Sequence, residues 1–272
     1  METRLIYGKP IAERIRRALA EDIRRSGLNP GLGVVLAGDD PASHLYVGIK
    51  ELAAGEIGIR FEKKLFPASA GTHEIIEAVE EFGRRGDIDG ILVQLPLPRG
   101  IDEEAVLAAV PTAKDADGFR PDSPVPPVTV SAVRELVLAS GIESAGRSAL
   151  VIANSEIFAG PQRRMLEGLG FKSESITDLA VAGRLSRDSE LIVIAIGRPG
   201  WLTREKINEG AVIIDVGTTR GPAGKVRGDA DRDGLMGRAG AISAVPGGVG
   251  PLTVAYLLKN VAELAKKRRA LR

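Results

Sequence analysis

Tyr46 and Lys50 lie four residues apart in the run Ser43-His44-Leu45-Tyr46-Val47-Gly48-Ile49-Lys50, which follows the turn Gly38-Asp39-Asp40-Pro41. The run has helical spacing, and on a helix residues i and i+4 stand one above the other. A ring and an amine on one face suit a site that stacks a flat substrate and moves a proton over it. The same spacing fits a surface helix whose lysine snorkels to water. Gln94 ends an apolar run and is followed by Leu95-Pro96-Leu97-Pro98, which holds the chain rigidly. In open α/β sheets, ligands gather beyond the carboxyl ends of strands, so Gln94 is either a ligand there or the cap of a loop. Asp117, in Lys114-Asp115-Ala116-Asp117-Gly118-Phe119, could accept two N–H groups of a planar heterocycle or close an Asx turn before Gly118. Pro246-Gly247-Gly248-Val249-Gly250-Pro251 opens a helix, and bare backbone between prolines allows close approach and leaves N–H donors free.

The elements that must position these residues alternate in type. Ile11 to Ile23 reads as an amphipathic helix ended by Gly27 and Pro30. Leu32 to Ala37 is a short apolar run between turn signals, hence a buried strand, and the Tyr46/Lys50 helix comes next. Then follow strand Phe61 to Phe66, helix Thr72 to Arg84 with Thr72 as N-cap, and strand Asp89 to Pro96. Such alternation predicts an α/β fold with a parallel sheet and helices on both faces. Pro111, Pro121, Pro124, Pro126 and Pro127 mark a rigid connector. Beyond it the spacing predicts helix Ser131 to Ala139, strand Ala149 to Ile152, helix Pro161 to Leu169, strands Leu191 to Ala195 and Ala211 to Asp215, and a last helix from Pro251 to Arg269. Two α/β lobes joined by a proline-rich hinge is the simplest layout.

Composition narrows the chemistry. The 272 residues are 44% hydrophobic, enough for a sizeable core, and 37 Lys+Arg against 36 Asp+Glu leave a net charge of +1. That balance argues against a nucleic-acid partner held by bulk charge. The basic tail Lys266-Lys267-Arg268-Arg269 with Arg272 reads as the solvated end of a helix, where cations suit the dipole. With no cysteine, disulfides, thiolate metal sites and a Cys nucleophile are excluded. His44 and His73 are far apart, so no histidine metal site is expected. No apolar run approaches the ~18 residues of a membrane span, and Met1-Glu2-Thr3-Arg4 lacks a secretory pattern. A cytoplasmic protein is the expectation.

The second lobe should hold a cofactor. After strand Leu150-Val151-Ile152 the turn reads Ala153-Asn154-Ser155-Glu156-Ile157-Phe158-Ala159-Gly160-Pro161, which is not G-x-G-x-x-G. Glu156 puts a negative charge in a loop meant for pyrophosphate, unless it points outward. Ile196-Gly197-Arg198-Pro199-Gly200 and Asp215-Val216-Gly217-Thr218-Thr219 are glycine turns at strand ends, either nucleotide contacts or ordinary turns.

Taken together, these stretches resemble the bifunctional methylenetetrahydrofolate dehydrogenase/methenyltetrahydrofolate cyclohydrolase family along nearly the whole chain. Four blocks carry the resemblance: Asp40-Pro41-Ala42-Ser43-x-x-Tyr46-Val47-x-x-Lys50 with Gly58-Ile59; Asp89 to Pro98; Lys114-Asp115-x-Asp117-Gly118-Phe119; and Pro246-Gly247-Gly248-Val249-Gly250-Pro251-x-Thr253. The resemblance implies a folate/catalytic lobe of residues 1–119 with 251–272, a Rossmann-like NAD(P)-binding lobe of 120–250, a folate cleft between them, and a homodimer. It implies that Lys50 is catalytic, that Tyr46 stacks on the folate, that Gln94 tunes Lys50 and that Asp117 grips the pterin edge. Pro246, Gly247, Gly248 and Thr253 would complete the folate site. Asn154, Ser155, Ile157, Gly197, Gly217 and Thr218 would meet the dinucleotide. A partly desolvated lysine could then assist attack of water on the methenyl carbon, because burial lowers an amine's pKa.

The chain departs from the family in that second lobe. The family's turn usually reads Gly-Arg-Ser-x-x-Val-Gly-x-Pro; here Asn154 replaces the arginine expected to hold the 2′-phosphate of NADP, and both glycines are alanines, Ala153 and Ala159. A Cys-His-Ser segment is replaced by Lys172-Ser173-Glu174-Ser175-Ile176-Thr177, and a Pro-Cys-Thr-Pro element by Pro127-Val128-Thr129-Val130. Losing one charged phosphate contact costs roughly 1.5–3 kcal/mol, about 10- to 100-fold in affinity. Glu174 or Asp178 could favour a bare ribose 2′-hydroxyl. Three readings follow: both activities with weaker NADP or NAD-leaning cofactor use, a cyclohydrolase that has lost the dehydrogenase, and a non-catalytic folate-binding protein. Retention of Tyr46, Lys50, Gln94 and Asp117 argues against the last.

Overall fold

The computed structural model describes residues 2–221 and 224–270; Arg272 of the basic tail lies outside them. In chain order the elements begin β1 (Arg4–Ile6), α1 (Gly8–Ser26), β2 (Gly31–Ala37), α2 (Pro41–Glu56), β3 (Arg60–Phe66), α3 (Thr72–Arg84), β4 (Gly90–Val93), α4 (Glu103–Ala108) and α5 (Val128–Ser140). They continue with β5 (Ser148–Ala153), α6 (Glu156–Gly168), β6 (Lys172–Ile176), α7 (Leu179–Leu185), β7 (Leu191–Ala195), β8 (Val212–Asp215), β9 (Thr219–Arg220), β10 (Val226–Arg227), α8 (Arg232–Leu235), β11 (Ala241–Ser243) and α9 (Val249–Ala270). Two compact units result, 13–128 with 254–272 and 1–12 with 129–253. The sequence places residues 1–12 with the first group. Their different place has a simple cause, since β1 pairs in parallel with β11 from Arg4↔Ala241 to Ile6↔Ser243.

The unit of residues 13–128 and 254–272 is built on a parallel sheet ordered β3-β2-β4. β2 is buried along its whole length, which is why it reads as an unbroken apolar run rather than an alternation. Successive side chains still take opposite faces. Leu32, Val34 and Leu36 join the cluster formed with Leu19 and Ile23 of α1, Val47 and Ala54 of α2 and Leu257 and Val261 of α9. Val35 and Ala37 join Ile75, Val79 and Phe82 of α3 and Val106 of α4. Helices therefore cover both faces, as the alternation predicts. The cap of α3 corrects the reading of Thr72. Gly71 is the N-cap and its N–H is met by the Glu74 carboxylate, while Thr72 Oγ1 accepts from Asp102 N at 3.1 Å. The basic tail is also not merely solvated. Arg268 Nε reaches the fully buried Asp89 carboxylate at 2.5 Å, and Lys266 Nζ meets Asp22 at 2.7 Å.

The other unit has a six-stranded parallel sheet ordered β1-β11-β8-β7-β5-β6, with β9 and β10 as a small antiparallel ribbon. One face buries Leu150, Ile152, Ile192, Ile194, Ile213 and Ile242 against Ala182, Leu202 and Leu235. From β5 the chain passes through α6 to β6 on one side, then returns to β7 on the other. The strand order therefore switches direction beside β5, where α/β sheets bind ligands. α6 starts at Glu156, before the predicted Pro161, because Ser155 caps it and the proline is carried inside the helix. The short β1, α4, β9, β10 and β11 have too few residues for a periodic signal.

Candidate active site

α2 presents the first site residues. Asp40 caps it by accepting from Ser43 N at 2.9 Å, and Pro41 opens it, where a missing N–H costs nothing. Val47, Ala53 and Ala54 bury one face. This leaves Tyr46 and Lys50 half-buried, one turn apart. β4 delivers the partner: Gln94, one residue past its end, is tied to β2 by its N–H to Val35 O at 2.9 Å. Lys50 Nζ donates to Gln94 Oε1 at 2.7 Å, and Gln94 Nε2 donates to Leu95 O at 2.6 Å. The second bond decides which way the amide faces. A flipped amide would set donor against the ammonium and acceptor against a carbonyl.

Burial pushes the Lys50 amine below the ordinary lysine range, and the Asp117 carboxylate opposes that fall. Burial lifts Asp117 to about 6, with Lys50 opposing and Asp115 adding to the rise. Each group thus makes the other's charge tolerable. Asp115, not Asp117, closes the local turn: its Oδ1 accepts from Gly118 N at 3.0 Å and its Oδ2 from Arg120 N at 2.9 Å. The turn-closing alternative for Asp117 is thereby taken up by its neighbour. Two carboxylates two residues apart look alike in a sequence; in the fold Asp115 is engaged by the turn, and Asp117 is the one whose charge acts on Lys50.

Pro246, Gly247, Gly248 and Thr253 belong to the other unit. Gly247 O accepts from Gly8 N at 2.8 Å and from Lys9 N at 3.2 Å, at the start of α1. A Cβ on Gly8 would lie 1.9 Å from Gly248 O, so close backbone approach is a packing requirement here. Thr253 Oγ1 bonds back to Gly250 O at 2.8 Å.

The predicted cofactor residues gather at the carboxyl ends of β5, β7 and β8. Asn154 Nδ2 donates to Ile196 O at 2.8 Å, and Ser155 Oγ caps Phe158 N. Ile157 is 85% exposed on the first turn of α6. Gly197 takes φ +65° in an exposed turn, and Thr218 is exposed. Glu156 does turn away: both its oxygens lie 3.4 Å from Ser175 Oγ of β6. Asp178 caps α7 through Ala180 N at 2.9 Å. Open backbone turns and an exposed apolar residue at a switch point fit a dinucleotide. Beneath these turns lie two buried carboxylates, Asp215 and Asp229, which sequence reading did not single out for a role. The available signal was a glycine beside each, Gly217 and Gly228. A Cβ on Gly217 would lie 2.4 Å from Asp229 Cγ, and one on Gly228 would lie 2.0 Å from Asp215 Oδ2. Burial lifts Asp215 to about 7 despite three backbone donors.

Comparison with known proteins accounts for both units. Residues 6–117 match the tetrahydrofolate dehydrogenase/cyclohydrolase catalytic domain, and residues 127–269 match the NAD(P)-binding domain of the same family. The bifunctional protein FolD of Moorella thermoacetica is 37% identical over 286 residues, covering 98% of this chain and all of that protein. FolD of Desulfovibrio desulfuricans is 38% identical over 98% of this chain and 99% of its own length. Among solved structures, the Trypanosoma brucei methylenetetrahydrofolate dehydrogenase-cyclohydrolase, complexed with NADP and an inhibitor, superposes with a TM-score of 0.91 at 34% identity, over 100% of this chain and 99% of that one. The Campylobacter jejuni enzyme gives 0.89 at 31% identity, over 98% and 99%.

Proposed function

We propose, on the premise that this chain belongs to the tetrahydrofolate dehydrogenase/cyclohydrolase family, that Lys50 is the proton-transfer group of its folate chemistry. The chain is a bifunctional enzyme of one-carbon metabolism. It interconverts 5,10-methylene-, 5,10-methenyl- and 10-formyltetrahydrofolate, using a nicotinamide dinucleotide for the first step. The observation that carries the role of Lys50 is the 2.7 Å bond from its half-buried, pKa-lowered amine to Gln94.

An ordinary lysine, with pKa near ~10.4, is almost wholly charged at neutral pH and a poor base. Burial raises the neutral fraction of Lys50, so the amine can take a proton from water as its oxygen attacks the methenyl carbon. The tetrahedral adduct then loses its C–N5 bond, the hydroxyl proton leaves as the formyl C=O forms, and N5 takes up a proton; one proton is released overall. Gln94 fixes the amine's position and steadies its charged form between the two transfers. Tyr46, one turn earlier, offers a ring for stacking, and Asp117 offers two acceptor oxygens to paired N–H groups of the pterin. In the dehydrogenase half, the dinucleotide supplies the hydride acceptor. Ser155, Ile157, Gly197, Gly217 and Thr218 are the residues proposed to hold it.

Replacing Lys50 with Met tests the assignment. Cyclohydrolase turnover is expected to vanish while folate still binds; substantial remaining turnover would sink it. Among the described residues no helix is long and apolar enough to cross a membrane. A cytoplasmic homodimer is the expectation carried over from the family, and light scattering on the purified chain tests the dimer.

A further inference from the structure

We propose that Asn154 and Asp229 are positioning residues that clamp the Ile196–Gly197 peptide from both sides and so set the strand-end turn against which the dinucleotide binds. The inference rests on the reading of this unit as dinucleotide-binding. Ile196 and Gly197 follow β7 directly, beside the point where strand order switches. The carbonyl of that peptide is taken by Asn154 Nδ2 at 2.8 Å, from the turn after β5. Its N–H is taken by Asp229 Oδ2 at 3.0 Å, and the same oxygen accepts from Ile196 N at 2.6 Å. One peptide unit thus has both polar groups held by side chains from two distant stretches.

The clamp has a rigid base. Asp229 N donates to Asp215 Oδ1 at 3.0 Å, Gly217 N donates to the same oxygen at 2.9 Å, and Ala230 N donates to Asp215 Oδ2 at 2.9 Å. Asp215 closes β8, so the ends of β7 and β8 are joined through two buried carboxyl groups. Asp229 is 0% exposed and its Oδ1 has no protein partner among the described residues. A buried acceptor left open is costly; it persists here because Oδ2 holds two backbone donors in a fixed place. The arrangement also gives Asn154 a different task from a phosphate ligand. Its amide is engaged with backbone, it carries no charge, and the first charged residues past the ends of β5 and β6 are the acidic Glu156 and Asp178. Asn154 therefore serves the turn used by NAD and NADP alike, instead of distinguishing a 2′-phosphate.

Equal weakening of NAD and NADP on loss of the Asn154 amide separates the clamp from a phosphate contact and from a general loss of stability. The measurement is dinucleotide binding by the full-length protein, read by quenching of its single tryptophan, Trp201, which lies four residues past Gly197. NAD and NADP are titrated separately, with methenyltetrahydrofolate hydrolysis and the melting temperature as controls of folding. Asn154 is exposed, so Asn154→Ala should fold; losing one hydrogen bond predicts Kd rising about 3- to 10-fold for both dinucleotides equally. Asp229→Leu should weaken both by more than ~10-fold, and Asp229→Asn, which retains one acceptor oxygen, should recover most of the loss. Should Asp229→Leu fail to fold, Asn154→Ala decides alone. A change in Kd for NADP but not for NAD in Asn154→Ala would overturn the clamp and make Asn154 a phosphate-side contact. Unchanged Kd for both would overturn it as well. Binding of neither dinucleotide by the unaltered protein would overturn the dinucleotide reading and the clamp with it.

Discussion

Gln94→Met removes the acceptor of Lys50 while keeping the length and much of the shape of the side chain. In the parent, Gln94 is buried and its Oε1 lies 2.7 Å from Lys50 Nζ. A hydrogen bond to an ammonium is worth roughly 1.5–3 kcal/mol and one to a neutral amine roughly 0.5–1.5 kcal/mol. The difference, about 1–1.5 kcal/mol, favours the charged form, and 1.36 kcal/mol equals about one pKa unit. Burial has already lowered the amine, so the variant should lower it by about one unit more. The assay is the pH dependence of kcat/KM for methenyltetrahydrofolate hydrolysis, whose rising limb reports the free enzyme's base. That limb should move about one unit toward acid, with a plateau about ten-fold lower because the amine is less basic and less well held. Gln94→Glu should move it the opposite way, by about 1–3 units, since a carboxylate beside the amine favours the ammonium. A limb that stays in place in both variants, or moves toward alkali in Gln94→Met, would refute the coupling of Gln94 to Lys50.

Two other changes probe the electrostatics and the close packing. Folding lifts the Asp117 carboxyl from 3.8 to about 6, so the stability it contributes is present at low pH and is lost as pH rises from about 4 through about 6. Asp117→Asn should therefore melt higher than the parent at about pH 7.5, by roughly 1–2 kcal/mol after discounting for partial exposure, and equally near pH 4. Its folate KM should rise, and a lower melting point at about pH 7.5 would contradict the assignment. Gly228→Ala sets a methyl 2.0 Å from Asp215 Oδ2, in a carboxylate that three backbone donors hold in place, two on Oδ1 and one on Oδ2. Denaturant unfolding should report a loss of about 3 kcal/mol or more, and a change under about 0.5 kcal/mol would mean that the carboxylate pair yields.

The chain itself shows the alternation of strand and helix, the unbroken apolar runs of the buried strands and the four blocks bearing Tyr46, Lys50, Gln94, Asp117 and the Pro246–Pro251 loop. Those signals are legible because period, apolar burial and turn chemistry act over a few residues, and because each block contains residue types with few other uses. Less could be read where the deciding partner is remote. Thr72 looks like a helix cap and is not, since Glu74 reaches back to Gly71 while Thr72 faces Asp102. The basic tail looks solvated, yet Arg268 neutralises Asp89, which lies 179 residues away. Glu156 looks like an obstacle to phosphate and instead leans on Ser175.

The sequence by itself determined the class of fold and the family, and it supplied the residues proposed for the folate side. The tertiary structure alone decided that Asp115 rather than Asp117 closes the local turn, which way the Gln94 amide points, and that Asn154 is bound to the peptide after β7. The reason is physical. A propensity belongs to a residue and its near neighbours, but a hydrogen-bond direction, a desolvated charge and the clearance at a glycine depend on what the folded chain brings from elsewhere.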